Sequence, residues 1–139
     1  MSRGELTELL ERVKKAEGPD RELGEAVVRA LGFHAWAGRM RYRDADGIRW
    51  WDFGSSEVTA SVDAALALVE RVLPGWKYRL DQYPDRVECN LGQWRQGFGL
   101  YGDDFDGTAL TAPLAILAAL LTALISQSSD GGEGGGGGE

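Results

Sequence analysis

The stretch Val58–Leu80 constrains the fold more than any other, because it spells out a helix, a stop and a strand in immediate succession. Thr59 and Ser61 are both residue types that cap a helix by accepting a hydrogen bond from its first free amides. Val62, Ala65, Leu66, Val69, Val72 and Leu73 then recur at helical spacing, with Asp63, Glu70 and Arg71 on the other side. This stripe predicts a helix that buries Leu66. Pro74 and Gly75 end it, since proline cannot continue a helix and glycine accepts a left-handed cap. Trp76, Tyr78 and Leu80 next alternate with Lys77 and Arg79, the pattern of a strand with one buried face.

The rest of the chain arranges itself around that unit. Ser2 and Glu5 have capping-box spacing, and Leu6, Leu9, Leu10 and Val13 form a helical stripe. Gly18-Pro19-Asp20 interrupts it, and a second stripe follows at Leu23, Val27, Ala30 and Leu31, so the N-terminal helix is split in two. Trp36, Met40 and Tyr42 alternate with Arg39, Arg41 and Arg43; after the turn Asp44–Gly47, Ile48–Phe53 runs back. A two-residue loop at Ala45-Asp46 sets Arg43 opposite Ile48, Arg41 opposite Trp50 and Arg39 opposite Asp52. A slip by one residue would set Arg41 against Arg49, and like charges directly opposite are unfavourable. Val87, Cys89 and Leu91 make a second hairpin with Trp76–Leu80. The glycine-rich segment Gly92–Gly107 reads equally as strand or loop.

Thr108 or Thr111 caps a last helix with Pro113 in its first turn, and Leu114–Ile125 leaves it almost no polar side. Such a helix is either buried on most sides or half of a homodimer interface. The Ser/Gly/acidic tail at 126–139 reads as disordered. The expected architecture is therefore a single α+β domain over residues 1–125. A mostly antiparallel four-stranded sheet from two hairpins carries packed helices, in the order α-ββ-α-ββ-α.

Four stretches carry a family resemblance: G-P-D-R-E-L at 18–23, V-T-A-S-V-D-A-A-L-A-L-V at 58–69, L-P-G-W at 73–76 and G-T-A-L-T-A-P-L-A-I-L-A-A-L-L at 107–121. Together they resemble the phage ABA-sandwich family, over roughly residues 5–125 and in the family's order. The resemblance implies that fold and an origin in a bacteriophage or a bacterium carrying a prophage. It implies no chemistry, since no established activity comes with the family. One departure concerns the last helix, where Ala112 separates Thr111 from Pro113.

Charge and motifs narrow the function classes. The formal net charge is −7, and three of the acids, Asp130, Glu133 and Glu139, lie in the tail. An acidic chain does not neutralise a phosphate backbone, so general nucleic-acid binding is not expected. Cys89 is the only cysteine, which points to a reducing compartment. The first ten residues have no apolar core of a signal peptide, and the run Ala112–Ile125 is too short to cross a bilayer. A cytoplasmic protein of a bacterial host, away from the membrane, is expected.

His34 and Cys89 form a conceivable nucleophilic pair, but Cys89 sits between Val87 and Leu91 at an inward strand position, where cysteine behaves as a small hydrophobe. Asp44-x-Asp46-Gly47 and the Asp103, Asp104, Asp106 group resemble fragments of calcium loops, without the distal glutamate that a full loop supplies. The latter group is the metal alternative, and with it the sequence reads as a carboxylate- or metal-dependent enzyme. Against that stand the absence of a complete catalytic set and of any phosphate-cradling loop or nucleophile elbow, and no cofactor is expected. The face carrying Arg39, Arg41, Arg43 and Trp50 is the ligand-binding candidate: guanidinium groups beside an indole hold anions through bidentate contacts and stacking. The competing reading is a solvated strand face with the arginines shielding Trp50 and pairing to Asp52. The function expected from all this is non-enzymatic: an accessory protein of a phage or prophage that binds a host or phage protein, or a small anionic ligand. The remaining alternative is a small oligomerising structural protein.

Overall fold

The computed structural model describes residues 3–36, 39–44, 47–51, 55–95 and 100–132. In chain order these form helices α1 (Arg3–Lys15) and α2 (Arg21–Ala30), then strands β1 (His34–Trp36), β2 (Arg39–Asp44) and β3 (Gly47–Trp51). A 3-10 turn at Ser55–Thr59 leads into α3 (Val62–Val72). Strands β4 (Lys77–Tyr83), β5 (Arg86–Arg95) and β6 (Leu100–Ala109) and helix α4 (Ala112–Gly132) complete the chain's described elements.

The α+β class holds, but the single four-stranded sheet does not. Two three-stranded antiparallel sheets form instead, in the orders β1-β2-β3 and β4-β5-β6. Each of the two expected hairpins pairs with a strand adjacent to it in sequence, because short connections favour neighbouring strands. β1 escaped the alternation pattern because Trp36, read as continuous with Met40 and Tyr42, belongs to a separate strand and lies opposite Arg39. β6 escaped it because Gly102 and Gly107 weaken the strand signal.

The helix starts follow capping chemistry. Asp20 caps α2, its carboxylate accepting from the Leu23 N–H at 3.0 Å. Gly32, at φ 97°, closes the other end: its N–H bonds to the Arg29 carbonyl and that of Phe33 to the Val28 carbonyl. This six-residue lock requires a left-handed residue, which glycine supplies without strain. Ser61 caps α3, accepting from the Ala64 N–H at 3.2 Å. The other cap candidate, Thr59, does something else. Its hydroxyl accepts from the Asp20 N–H at 2.9 Å and donates to the Asp20 carbonyl at 3.1 Å, fastening the 3-10 turn to the start of α2. Ser2, the candidate cap of α1, lies outside the described residues.

The core gathers around α4. Leu6, Leu9, Leu10 and Val13 of α1, Leu68 and Val69 of α3, and Cys89 and Leu91 of β5 are all buried. From Leu114 to Leu121 every residue of α4 is fully buried, with α1, α3, β5 and β6 packed round it. Leu114–Leu121, the larger part of the run that suggested a dimer interface, is covered by the chain's own elements, while Ile125 is only partly buried. Thr111 is the residue that starts α4: its carbonyl accepts from the Ala115 N–H at 2.9 Å. The helix continues to Gly132, so Ser126–Gly132, which composition assigned to a disordered tail, is helical; residues 133–139 lie outside the described residues.

Two details refine the sequence reading. α3 buries Ala64, Ala65, Leu68 and Val69, while Leu66 is only partly buried. The helix is rotated from the expected stripe, with Ala64 and Leu68 in the core where Leu66 was expected. Secondly, Gly107 lies directly beneath α4. A Cβ there would stand 2.6 Å from the Ala115 carbonyl oxygen and 2.6 Å from the Ala118 carbonyl carbon. Both are backbone atoms, which cannot yield as a side-chain tip would.

Two outcomes follow for stability, both measured by urea unfolding. Leu68→Ala is expected to cost about 2–5 kcal/mol and Leu66→Ala clearly less; equal losses would contradict the rotation of α3. Gly107→Ala is expected to cost about 1–3 kcal/mol or more through forced separation of α4 from β6. A neutral substitution would mean that the helix does not rest on that glycine.

Candidate functional site

The first sheet supplies the register on which the candidate site depends. β2 and β3 pair Arg43 with Ile48 and Arg41 with Trp50, as the like-charge argument predicts. Asp52, the expected partner of Arg39, and Asp46 of the turn lie outside the described residues. β1 adds what the sequence reading missed: His34 lies opposite Arg41, and Trp36 opposite Arg39.

Directly opposed residues of antiparallel strands share a face of the sheet, and so do alternate residues of one strand. One face therefore carries Trp36 and Arg39 in one row, His34, Arg41 and Trp50 in the next, and Arg43 and Ile48 in the third. The other carries Ala35, Met40 and Trp51 in one row, with Tyr42 and Arg49 in the next. Rows on one face repeat at about 6.6 Å and strands at about 4.8 Å. The three arginines consequently form a column between two aromatic flanks. The signal for His34 and Trp36 was present in their own alternation around Ala35. It was obscured because the chain turns back after only three residues of β1.

The carboxylate alternative is placed differently from a loop. Asp103, Asp104 and Asp106 all belong to β6. Asp104 lies opposite Gly92 and Asp106 opposite Asn90, while Asp103 falls where the β5–β6 register shifts between Gly92 and Trp94. Asp106 accepts a hydrogen bond from the Asn90 side-chain amide. Among the described residues no group of three or more His, Cys, Asp or Glu side chains is positioned to hold a metal ion. At the first Asp-x-Asp-Gly stretch, Asp44 and Gly47 are simply the closing pair of the β2–β3 hairpin.

His34 and Cys89 stand in different sheets, β1 of the first and β5 of the second. Cys89 is fully buried beneath α4. Burial, with a smaller contribution from the negative charge of Asp106, pushes its thiol from an ordinary 9.0 up to about 12. At neutral pH it is an inert thiol, since the thiolate is the nucleophile.

The polar face of the second sheet is a lattice of opposite charges. Arg79 meets Asp81 at 3.2 Å, and Arg86 meets both Asp85 and Glu88 at 3.0 Å while lying over the Tyr83 ring. Arg79 and Arg86 are thus matched locally by acids.

No family model matches the chain, and no similar curated protein or solved structure was found. The likeness to phage ABA-sandwich proteins accordingly rests on the four quoted stretches alone. No helix among the described residues is long and apolar enough to cross a membrane.

The buried thiol makes a pH prediction. Between about pH 9 and about pH 12 an unfolded chain loses the Cys89 proton while the folded chain keeps it. The unfolded state then binds fewer protons, so stability falls as pH rises through that window and is untouched by this group below it. Unfolding curves of the parent and of Cys89→Ala across pH 8–11 are expected to show the steeper decline in the parent. Parallel declines would contradict the burial of the thiol.

Proposed function

We propose that this chain is a non-enzymatic binding protein that takes a compact anion, of the size of a nucleotide, on the arginine face of its first sheet. The observation that supports this most directly is the row His34–Arg41–Trp50, flanked by Trp36–Arg39 on one side and Arg43 on the other. Guanidinium groups about 6.6 Å apart suit two phosphates, or a phosphate and a carboxylate. The neighbouring indoles suit the flat ring of a base. Three guanidinium groups on one face favour a wet face, because charge is costly to bury; the opposite face, with Met40, Trp51 and Tyr42 beside a single Arg49, is the more apolar one. The formal charge of −7 discourages a long polyanion while leaving a small one welcome. A wider role as an accessory protein of a phage or prophage, acting on a host or phage component, is our proposal from the family resemblance.

Titration of tryptophan fluorescence with a panel of nucleotides tests the reading. Binding is expected to quench emission and to weaken as salt rises, since an exposed ionic contact is screened. Arg41→Ala is expected to weaken binding about tenfold or more, and Arg12→Ala, an exposed control on α1, to leave it unchanged. A panel of which no member binds the parent, or an Arg41→Ala variant that binds as well as the parent, would reduce this face to a solvated surface.

A further inference from the structure

The second sheet ends in a strand whose outer edge pairs with no other strand among the described residues. β4 is hydrogen-bonded to β5 alone, and α4 lies over β5 and β6. On the face where β5 buries Cys89 and Leu91, Tyr78 of β4 is consequently 50% exposed and Leu80 only partly buried. Edge strands usually deter further pairing with proline, a bulge or obstructive charges. β4 contains no proline, and its register with β5 runs without a break from Lys77 to Tyr83. Charges it has, but in a self-complementary order.

Two β4 strands set antiparallel about a two-fold axis through Leu80 would match Leu80 with Leu80, Arg79 with Asp81, Tyr78 with Gln82 and Lys77 with Tyr83. Each of these pairs is compatible, and the two arginine–aspartate pairs are favourable. Arg79 and Asp81 already meet at 3.2 Å within one chain; the second copy would close them into a ring of four alternating charges. The backbone agrees as well. Alternate residues of an edge strand turn both their N–H and C=O outward. The axis matches each alternate set with itself, 78 with 82 and 79 with 81, so outward groups meet outward groups. On the other face, the two Leu80 side chains cover one another between the exposed Tyr78 rings. The geometry points to a homodimer in which β4 pairs with β4, giving a continuous six-stranded antiparallel sheet.

Sedimentation velocity over a concentration series is the test. The parent is expected to move from monomer to dimer as concentration rises. Arg79→Asp and Asp81→Arg each set like charges opposite one another twice, and each is expected to weaken the dimer about tenfold or more. Mixing the two single variants restores both opposite-charge pairs and is expected to recover dimer. The double variant Arg79→Asp/Asp81→Arg should recover it too, with net charge unchanged. In the parent itself, amide exchange along β4 should slow as concentration rises. A parent that stays monomeric with unchanged β4 exchange overturns the proposal. So does a dimer indifferent to both single reversals, or one that neither the mixture nor the double variant restores.

Discussion

The structure depends on a helix that has no polar side. From Leu114 to Leu121, α4 presents leucine, isoleucine or alanine in every direction, and every one of those residues is buried. An isolated helix of that kind would leave a large apolar surface in water, so it persists only where neighbours enclose it. α1 and α3 cover it from the helical side, and β5 and β6 from the sheet side. Small residues set how closely they approach: Ala115, Ala118 and Ala119 on the helix meet Gly107 on the strand, backbone against backbone. Close packing gains dispersion contacts that larger side chains would have prevented by holding the layers apart.

That enclosure assigns different duties to the two sheets. The second sheet contributes one wall of the core, and its inner positions are filled by Val87, Cys89, Leu91 and Ala109. The first sheet meets the helical body through β1 against α2. Its composition is correspondingly different, with arginine and tryptophan where the second sheet has valine and leucine. The double hydrogen bond between Thr59 and Asp20 is relevant here, since it fastens the chain where it returns from the first sheet to the start of α2, the helix before it.

Much of this was legible from residue order. The stripes of α1 and α2 are local patterns, and so is the β2–β3 register, where a like-charge clash between Arg41 and Arg49 decides between two alignments. What escaped depends on partners far along the chain. Leu68 outranks Leu66 in α3 because of where α4 lies, and no local pattern carries that information. Thr59 looked like a helix cap because its neighbours permit it; its actual partner, Asp20, is thirty-nine positions away. β6 was ambiguous because Gly107 reads as a weak strand residue until the helix above it is known. The arginine column could be written down from sequence, but its flank of His34 and Trp36 required knowing that β1 turns back onto β2.

The position of α4 in chain order has a consequence for how the molecule comes into being. It follows every other described element, yet it is the piece around which they close. While the chain is being synthesised, α1, α3 and the inner side of β5 and β6 emerge with their shared partner still missing. Local helices and hairpins form early, since their contacts are short in sequence. The cooperative step waits until residues beyond Leu121 have cleared the ribosome. Until then a nascent chain exposes sticky surface to its surroundings, the condition in which chaperones engage and chains aggregate. Slow translation upstream would therefore lengthen the vulnerable interval rather than help the chain fold piece by piece.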